Sequence, residues 1–242
     1  MPQPSCPAPP PSRSLPLRCC LLSGGASRRM GQDKALLPHP EGGSWLERQL
    51  RLLAELRAPL TLLSGWPAHL WQASALAIPF ARRGVALELL LEPPGLSRSP
   101  MVPPRPQGPL VALGHLMAVH PDERLLLCPI DMPALTPSCL RALLDAASAA
   151  PEAIWIAAPD DDASQPQPLL GLYPSDTRPR QRLQEALARG ERGLRRWLAG
   201  EVAHSLALPA AALANVNTPE QFNDWRATLR PPPDCSASRC SP

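Results

Sequence analysis

Short runs of apolar residues alternate along most of the chain with longer stretches in which apolar positions recur at helical spacing. The short runs predict strands over residues 15–22, 60–64, 85–91, 124–128, 153–158, 168–173 and 202–208. The stretches between them predict helices over 45–56, 110–119, 137–149, 180–188 and 219–229. Several of the strands are continuously apolar, as in Leu125-Leu126-Leu127, which is the mark of a strand buried on both faces. The expected fold is therefore α/β: a doubly wound, mostly parallel sheet, Rossmann-like, with helices on both sides. Two helix starts are written into the sequence. Thr136-Pro137 and Thr218-Pro219 each place a hydroxyl at the cap and a proline in the first turn, and Gln221 completes a capping box with Thr218.

Composition limits what this fold can serve. The chain has 242 residues, enough for one domain. Residues 1–16 and 231–242 are rich in Pro and Ser and read as disordered tails, leaving 17–230 as the domain. A further Pro-rich cluster, from Pro93 to Pro109, reads as a long surface loop. No apolar run is long enough to span a membrane, and the start has no leader pattern, so a cytoplasmic, membrane-free protein is expected. A net charge of +3 with 4% aromatic residues does not suit nucleic-acid binding. The arginines at 189, 192, 195 and 196 read as a solvated helix face. Seven cysteines without a C-x-x-C pair argue against a disulfide framework or a zinc ribbon. His115 and His204 have no partner at ligand spacing, and Asp160-Asp161-Asp162 reads as a solvated loop.

Three segments carry chemistry. Ser23-Gly24-Gly25-Ala26-Ser27-Arg28-Arg29-Met30-Gly31-Gln32-Asp33-Lys34 follows the first strand, at the sheet edge where ligands bind. Its glycines let backbone N–H groups close on phosphate oxygens, and Arg28, Arg29 and Lys34 supply positive charge. The spacing is neither that of a Walker A loop nor that of a dinucleotide fingerprint. Asp131, just past the strand at 124–128, is placed to ligate Mg²⁺, or alternatively to cap the next turn. Asn215-Val216-Asn217-Thr218-Pro219 opens the last helix, where Asn217 suits either a metal shell or plain capping.

In this order and spacing, the three segments resemble the molybdenum cofactor guanylyltransferase family, whose pattern runs L-A-G-G-x-S-x-R-M-G-x-D-K, then C-D-x-P, then N-x-N-T-P-E. Gly108-Pro109-Leu110 is a further match, and the resemblance covers residues 17–228. It implies a nucleotidyltransferase fold, Mg²⁺ as cofactor, GTP as donor and Mo-molybdopterin as acceptor. Transient contact with other cofactor-biosynthesis proteins and apo-molybdoenzymes is also implied. The likeness assigns the nucleotide site to Leu22, Ser23, Gly24, Gly25, Lys34, Ser64, Gly108 and Asp131. It assigns catalysis to Lys34, Arg28, Arg29 and Asp131, the metal to Asp131, and the acceptor cleft to Asn215 and Asn217.

The chain departs from the family pattern at several points. Ser23 replaces Ala, Ile130 replaces Cys, Ser64 stands where Asn is usual, Glu92 where Asp is usual, and Ala112 where Gly is usual. Two other readings fit parts of the pattern. The sister cytidylyltransferases share the fold but read L-A-A-G in the first loop and carry Gln after the mid-chain Asp, against Gly24 and Met132 here. A non-catalytic protein that binds the molybdenum cofactor would have no need to keep Lys34 and Asp131.

Overall fold

A computed structural model describes residues 15–25, 27, 29–93, 107–161 and 165–229. Arg28, most of the Pro-rich segment after Pro93, Asp162 and nearly all of the two expected tails lie outside the described residues. Seven strands form one sheet: β1 (Leu17–Leu22), β2 (Leu60–Ser64), β3 (Leu87–Leu91), β4 (Arg124–Pro129), β5 (Ile154–Pro159), β6 (Gln167–Pro174) and β7 (Ala203–Leu208). Their order is β3-β2-β1-β4-β6-β5-β7. Only β6 runs against the others, pairing antiparallel with β4 and β5.

The helices are α1 (Trp45–Ala54), α2 (Pro67–Ser74), α3 (Ala77–Ala81), α4 (Pro109–Val119), α5 (Pro137–Ala147), α6 (Thr177–Ala188), α7 (Leu194–Leu198) and α8 (Pro219–Thr228). Each expected strand and helix is present, and α2, α3 and α7 are additions. The arginine-rich stretch is split: Gly190 adopts φ +83° after α6, and α7 then starts afresh with Leu194, Trp197 and Leu198 buried and Arg195 and Arg196 exposed.

Alternation along the continuous apolar strands builds two cores from one sheet. Cys19, Leu21, Leu60, Leu62, Leu126 and Cys128 face one side and pack against α1, α2, α3 and α5. Cys20, Leu22, Leu63, Leu125 and Leu127 face the other and pack against α4, α6 and α7. The cysteines at 19, 20, 128 and 139 are buried and free, so they act as small core residues. Among the described residues, no helix is long and apolar enough to cross a membrane.

The chain winds outward from β1 through β2 to β3, then returns to lay β4 on the other side of β1. That reversal leaves a crevice at the carboxyl ends of β1 and β4, where a doubly wound sheet binds its ligand. A third, small core closes one wall of it. Met30, Leu37 and Trp45 pack on Val216 and Phe222, with Trp225 beside them, so the segment after the glycine-rich loop is fastened to α8. Both caps expected at Thr136 and Thr218 form, each hydroxyl accepting from the backbone N–H three residues on. Gln221 reaches one residue further back than a capping box requires and accepts from Asn217 N–H at 2.7 Å, which orders Asn217 itself.

Trp45 is only 1% exposed and touches the rings of both Phe222 and Trp225. Trp45→Ala is expected to cost ~3–5 kcal/mol of stability, measured by urea unfolding. A loss below ~1 kcal/mol would show that this small core does not fasten the loop.

Candidate active site

The site is built at the crevice from three distant parts of the chain. β1 ends at Leu22, and the loop that follows returns to a short 3-10 turn, Lys34–Leu36. Asp33 caps that turn by accepting from Ala35 N–H at 3.1 Å, and Lys34 N–H donates to the Ser27 hydroxyl. The turn aims the Lys34 side chain inward. Its ammonium donates to Asn217 Oδ1 at 2.8 Å, to Asp131 Oδ2 at 3.3 Å and to the Val216 carbonyl at 3.5 Å. One buried cation thus binds the loop after β1, the acid after β4 and the segment before α8. Backbone bonds hold the two partners in place, with Ile130 N–H on Leu22 O and Val216 N–H on Asp131 O. The buried Gln49 of α1 donates to Met132 O at 2.6 Å.

Two cavities meet at Asp131. The smaller, of about 240 Å³, is lined by Leu22, Gly24, Gly25, Lys34, Glu92 and Gly108 among others. The larger, of about 420 Å³, is lined by Arg29, Gln167, Leu194, Arg195, Asn215 and Asn217 among others. Pro109, Pro129 and Leu169 are shared between them. At the rim Gly108 precedes α4 with φ +99°, a conformation suited to glycine, and no side chain caps the helix's first turn. Pro109 brings no N–H to that turn, and the Val111 and Ala112 N–H groups both donate to Gly108 O.

Two expected pocket residues are placed differently. Ser64 is fully buried, donates to Ser23 O at 3.0 Å and accepts from Trp66 N–H at 3.0 Å. Ser23 is also buried and turns its hydroxyl to His69 Nδ1 at 2.9 Å. Both side chains brace the loop from behind and do not face the cavity, because a buried hydroxyl must find partners and α2 supplies them. Of the residues expected at the nucleotide site, Ser23 and Ser64 are not among those that line the two cavities.

Two residues at the site went unassigned. Glu92, recorded above only as a departure, follows β3 with its N–H on Ser64 O, and its carboxylate enters the smaller cavity. Burial pushes that carboxyl above its usual pKa. It lies so close to Gly24 that a Cβ there would fall 1.8 Å from Glu92 Oε1. An acid at the carboxyl edge of β3 was the available signal. His69, on α2, touches Ser23, Ser64 and Asp33 and had no signal beyond its place shortly after β2.

Among the described residues no three His, Cys, Asp or Glu gather as a closed metal site. Asp131 stands as a single carboxylate whose side chain is 22% exposed. That donor set fits a Mg²⁺ ion that takes the rest of its shell from phosphates and water, not a cation caged by protein alone.

Comparison with known proteins agrees with this geometry. Residues 19–207 match the model of the MobA-like NTP transferase domain. The chain belongs to this family. A probable molybdenum cofactor guanylyltransferase of Rhodopirellula baltica is 33% identical over 222 residues, covering 90% of this chain and 92% of the relative. A protein of the same description from Mycobacterium avium is 30% identical, covering 85% and 92%. Among solved structures, molybdopterin-guanine dinucleotide biosynthesis protein A of Archaeoglobus fulgidus superposes with a TM-score of 0.62 at 19% identity, covering 87% of this chain and 97% of its own, and supports the fold.

The crowding at Gly24 gives a test. Gly24→Ala is expected to drive the Glu92 carboxylate out of the cavity, so that its pKa, raised in the parent, returns toward the usual carboxylate range in an NMR titration. A Glu92 titration identical to the parent's would show that the two positions are not in contact.

Proposed function

We infer that this chain is a molybdenum cofactor guanylyltransferase, moving GMP from GTP to Mo-molybdopterin with release of pyrophosphate. The observation that carries the reading is the Lys34 ammonium between Asp131 and Asn217, where the two cavities meet. In this reading the smaller cavity takes the nucleotide. Gly24 and Gly25 give the base and sugar room to lie against the loop backbone, and Glu92 supplies a carboxylate that accepts from base or ribose hydrogens. The larger cavity takes the pterin, with Arg29 and Arg195 available to its phosphate and Asn215 and Asn217 on its wall.

The terminal phosphate oxygen of the pterin attacks the α-phosphorus of GTP in line, and the bond from that phosphorus to the pyrophosphate oxygen breaks. The nucleophile is already ionised near neutral pH, so no protein base is required. Mg²⁺ held by Asp131 would neutralise charge on the triphosphate. The protein aligns the two substrates across Asp131, and Lys34 turns from its internal partners to the phosphates as negative charge develops there. Cytoplasmic location and passing contact with apo-molybdoenzymes belong to the same proposal.

A transfer assay with Mg²⁺ and molybdopterin-loaded acceptor tests it. Turnover is expected with GTP and not with CTP, and Asp131→Asn is expected to lower it by ~10²–10³-fold. Turnover mainly with CTP would reassign the chain to the cytidylyl group. Tight cofactor binding without turnover would make it an accessory protein.

A further inference from the structure

We propose that His69 is a positioning residue for the nucleotide loop, tying the loop's first residue to the one that sets Lys34. The imidazole is 1% exposed and lies behind the loop, outside both cavities. Its Nε2 is 2.7 Å from Asp33 Oδ2, and its Nδ1 is 2.9 Å from the Ser23 hydroxyl and 2.9 Å from that of Ser64. Asp33 spends its other oxygen on Ala35 N–H, inside the turn that carries Lys34. One ring therefore bridges Ser23, where the loop leaves β1, and Asp33, where it ends. The clamp fixes the distance across which Gly24 and Gly25 must span and the direction in which Lys34 points.

Donor and acceptor roles follow from the partners. Burial, the largest single influence, works to raise the Asp33 carboxyl, but the contact with His69 and the bond from Ala35 N–H together outweigh it and hold the group below its usual range, so Asp33 is an acceptor. Nε2 therefore carries the proton. In the neutral ring Nδ1 then accepts from the Ser23 hydroxyl at 2.9 Å, the shorter of its two contacts with that residue, the Ser23 carbonyl lying at 3.2 Å. Ser64 gives its one hydroxyl proton to Ser23 O at 3.0 Å, and its oxygen lies 2.9 Å from Nδ1. Ser23 and Ser64 are two of the positions where this chain departs from the family pattern, and both hydroxyls meet on this ring. The departures form one linked arrangement, which an alanine at 23 would break in this chain.

The inference rests on the reading of this loop as the nucleotide site, so its test has one arm without nucleotide. In the full-length protein, the ¹⁵N shifts of His69 are expected to show the Nε2–H tautomer. Amide exchange at Lys34 and Ala35 is expected to quicken in His69→Ala more than in a control variant of equal stability loss. In the second arm, Mg²⁺-GTP titrations are expected to weaken by about tenfold in His69→Ala, equivalent to ~1.4 kcal/mol. His69→Gln, which keeps an amide donor for Asp33, is expected to restore most of that loss. Ser23→Ala is expected to weaken binding in the parent and to add little in the His69→Ala background. Unchanged exchange at Lys34 in a folded His69→Ala, an Nδ1–H tautomer, or additive effects of Ser23→Ala and His69→Ala would each overturn the proposal. A parent that binds no Mg²⁺-GTP would instead overturn the nucleotide reading, and the exchange and tautomer measurements would still decide the role of His69.

Discussion

A lysine ammonium is costly to bury unless its hydrogens meet acceptors and its charge meets an opposite charge. Lys34 is 8% exposed, and Asp131, Asn217 and the Val216 carbonyl meet that demand from segments roughly a hundred and two hundred residues away in sequence. Much of the local architecture serves to bring those groups to one point. β1 and β4 are neighbours in the sheet, so their carboxyl ends deliver the loop and Asp131 side by side. The small core of Trp45, Phe222 and Met30 brings the start of α8 against the loop, and Gln221 fixes Asn217 within it. On the proposed function the same ammonium turns to the triphosphate, so the charge that joins the three segments is also the charge that binds the donor.

The frame was legible because it depends on periodicity. Continuous apolar runs such as Leu125-Leu126-Leu127 have little choice but to be covered on both faces, and helices such as α1 and α5 between the strands have clear apolar stripes. The short helices were missed for definite reasons. α2 begins at Trp66-Pro67 without a hydroxyl cap, α3 contains Pro79, and α7 is five residues long within an arginine-rich stretch. The reversal of β6 was not drawn from the sequence, although the link from Pro159 to Gln167 is too short for the dozen or more residues of a parallel crossover.

The site was legible where a motif placed charge at a strand end, and obscure where direction decided the role. Lys34, Asp131 and Asn217 converge as their positions suggested. Ser23 and Ser64 lie at the same strand ends, yet they turn inward, because the imidazole of His69 on a helix invisible to the sequence pattern offers them partners. Glu92 was noted for what it replaced. Its reach across Gly24 depends on the adjacency of β1, β2 and β3, which no local pattern reports.

The central claim is that Lys34 and Asp131 act as one unit, and a double-mutant cycle on GMP transfer tests it most directly. The steady-state kcat/KM for GTP would be compared among the parent, Lys34→Met, Asp131→Asn and the double variant. Residues acting as a unit give strongly non-additive losses, so the double variant is expected to be little worse than the worse single one. If the two losses instead multiply, the residues act independently, and the account built on their shared contact is contradicted.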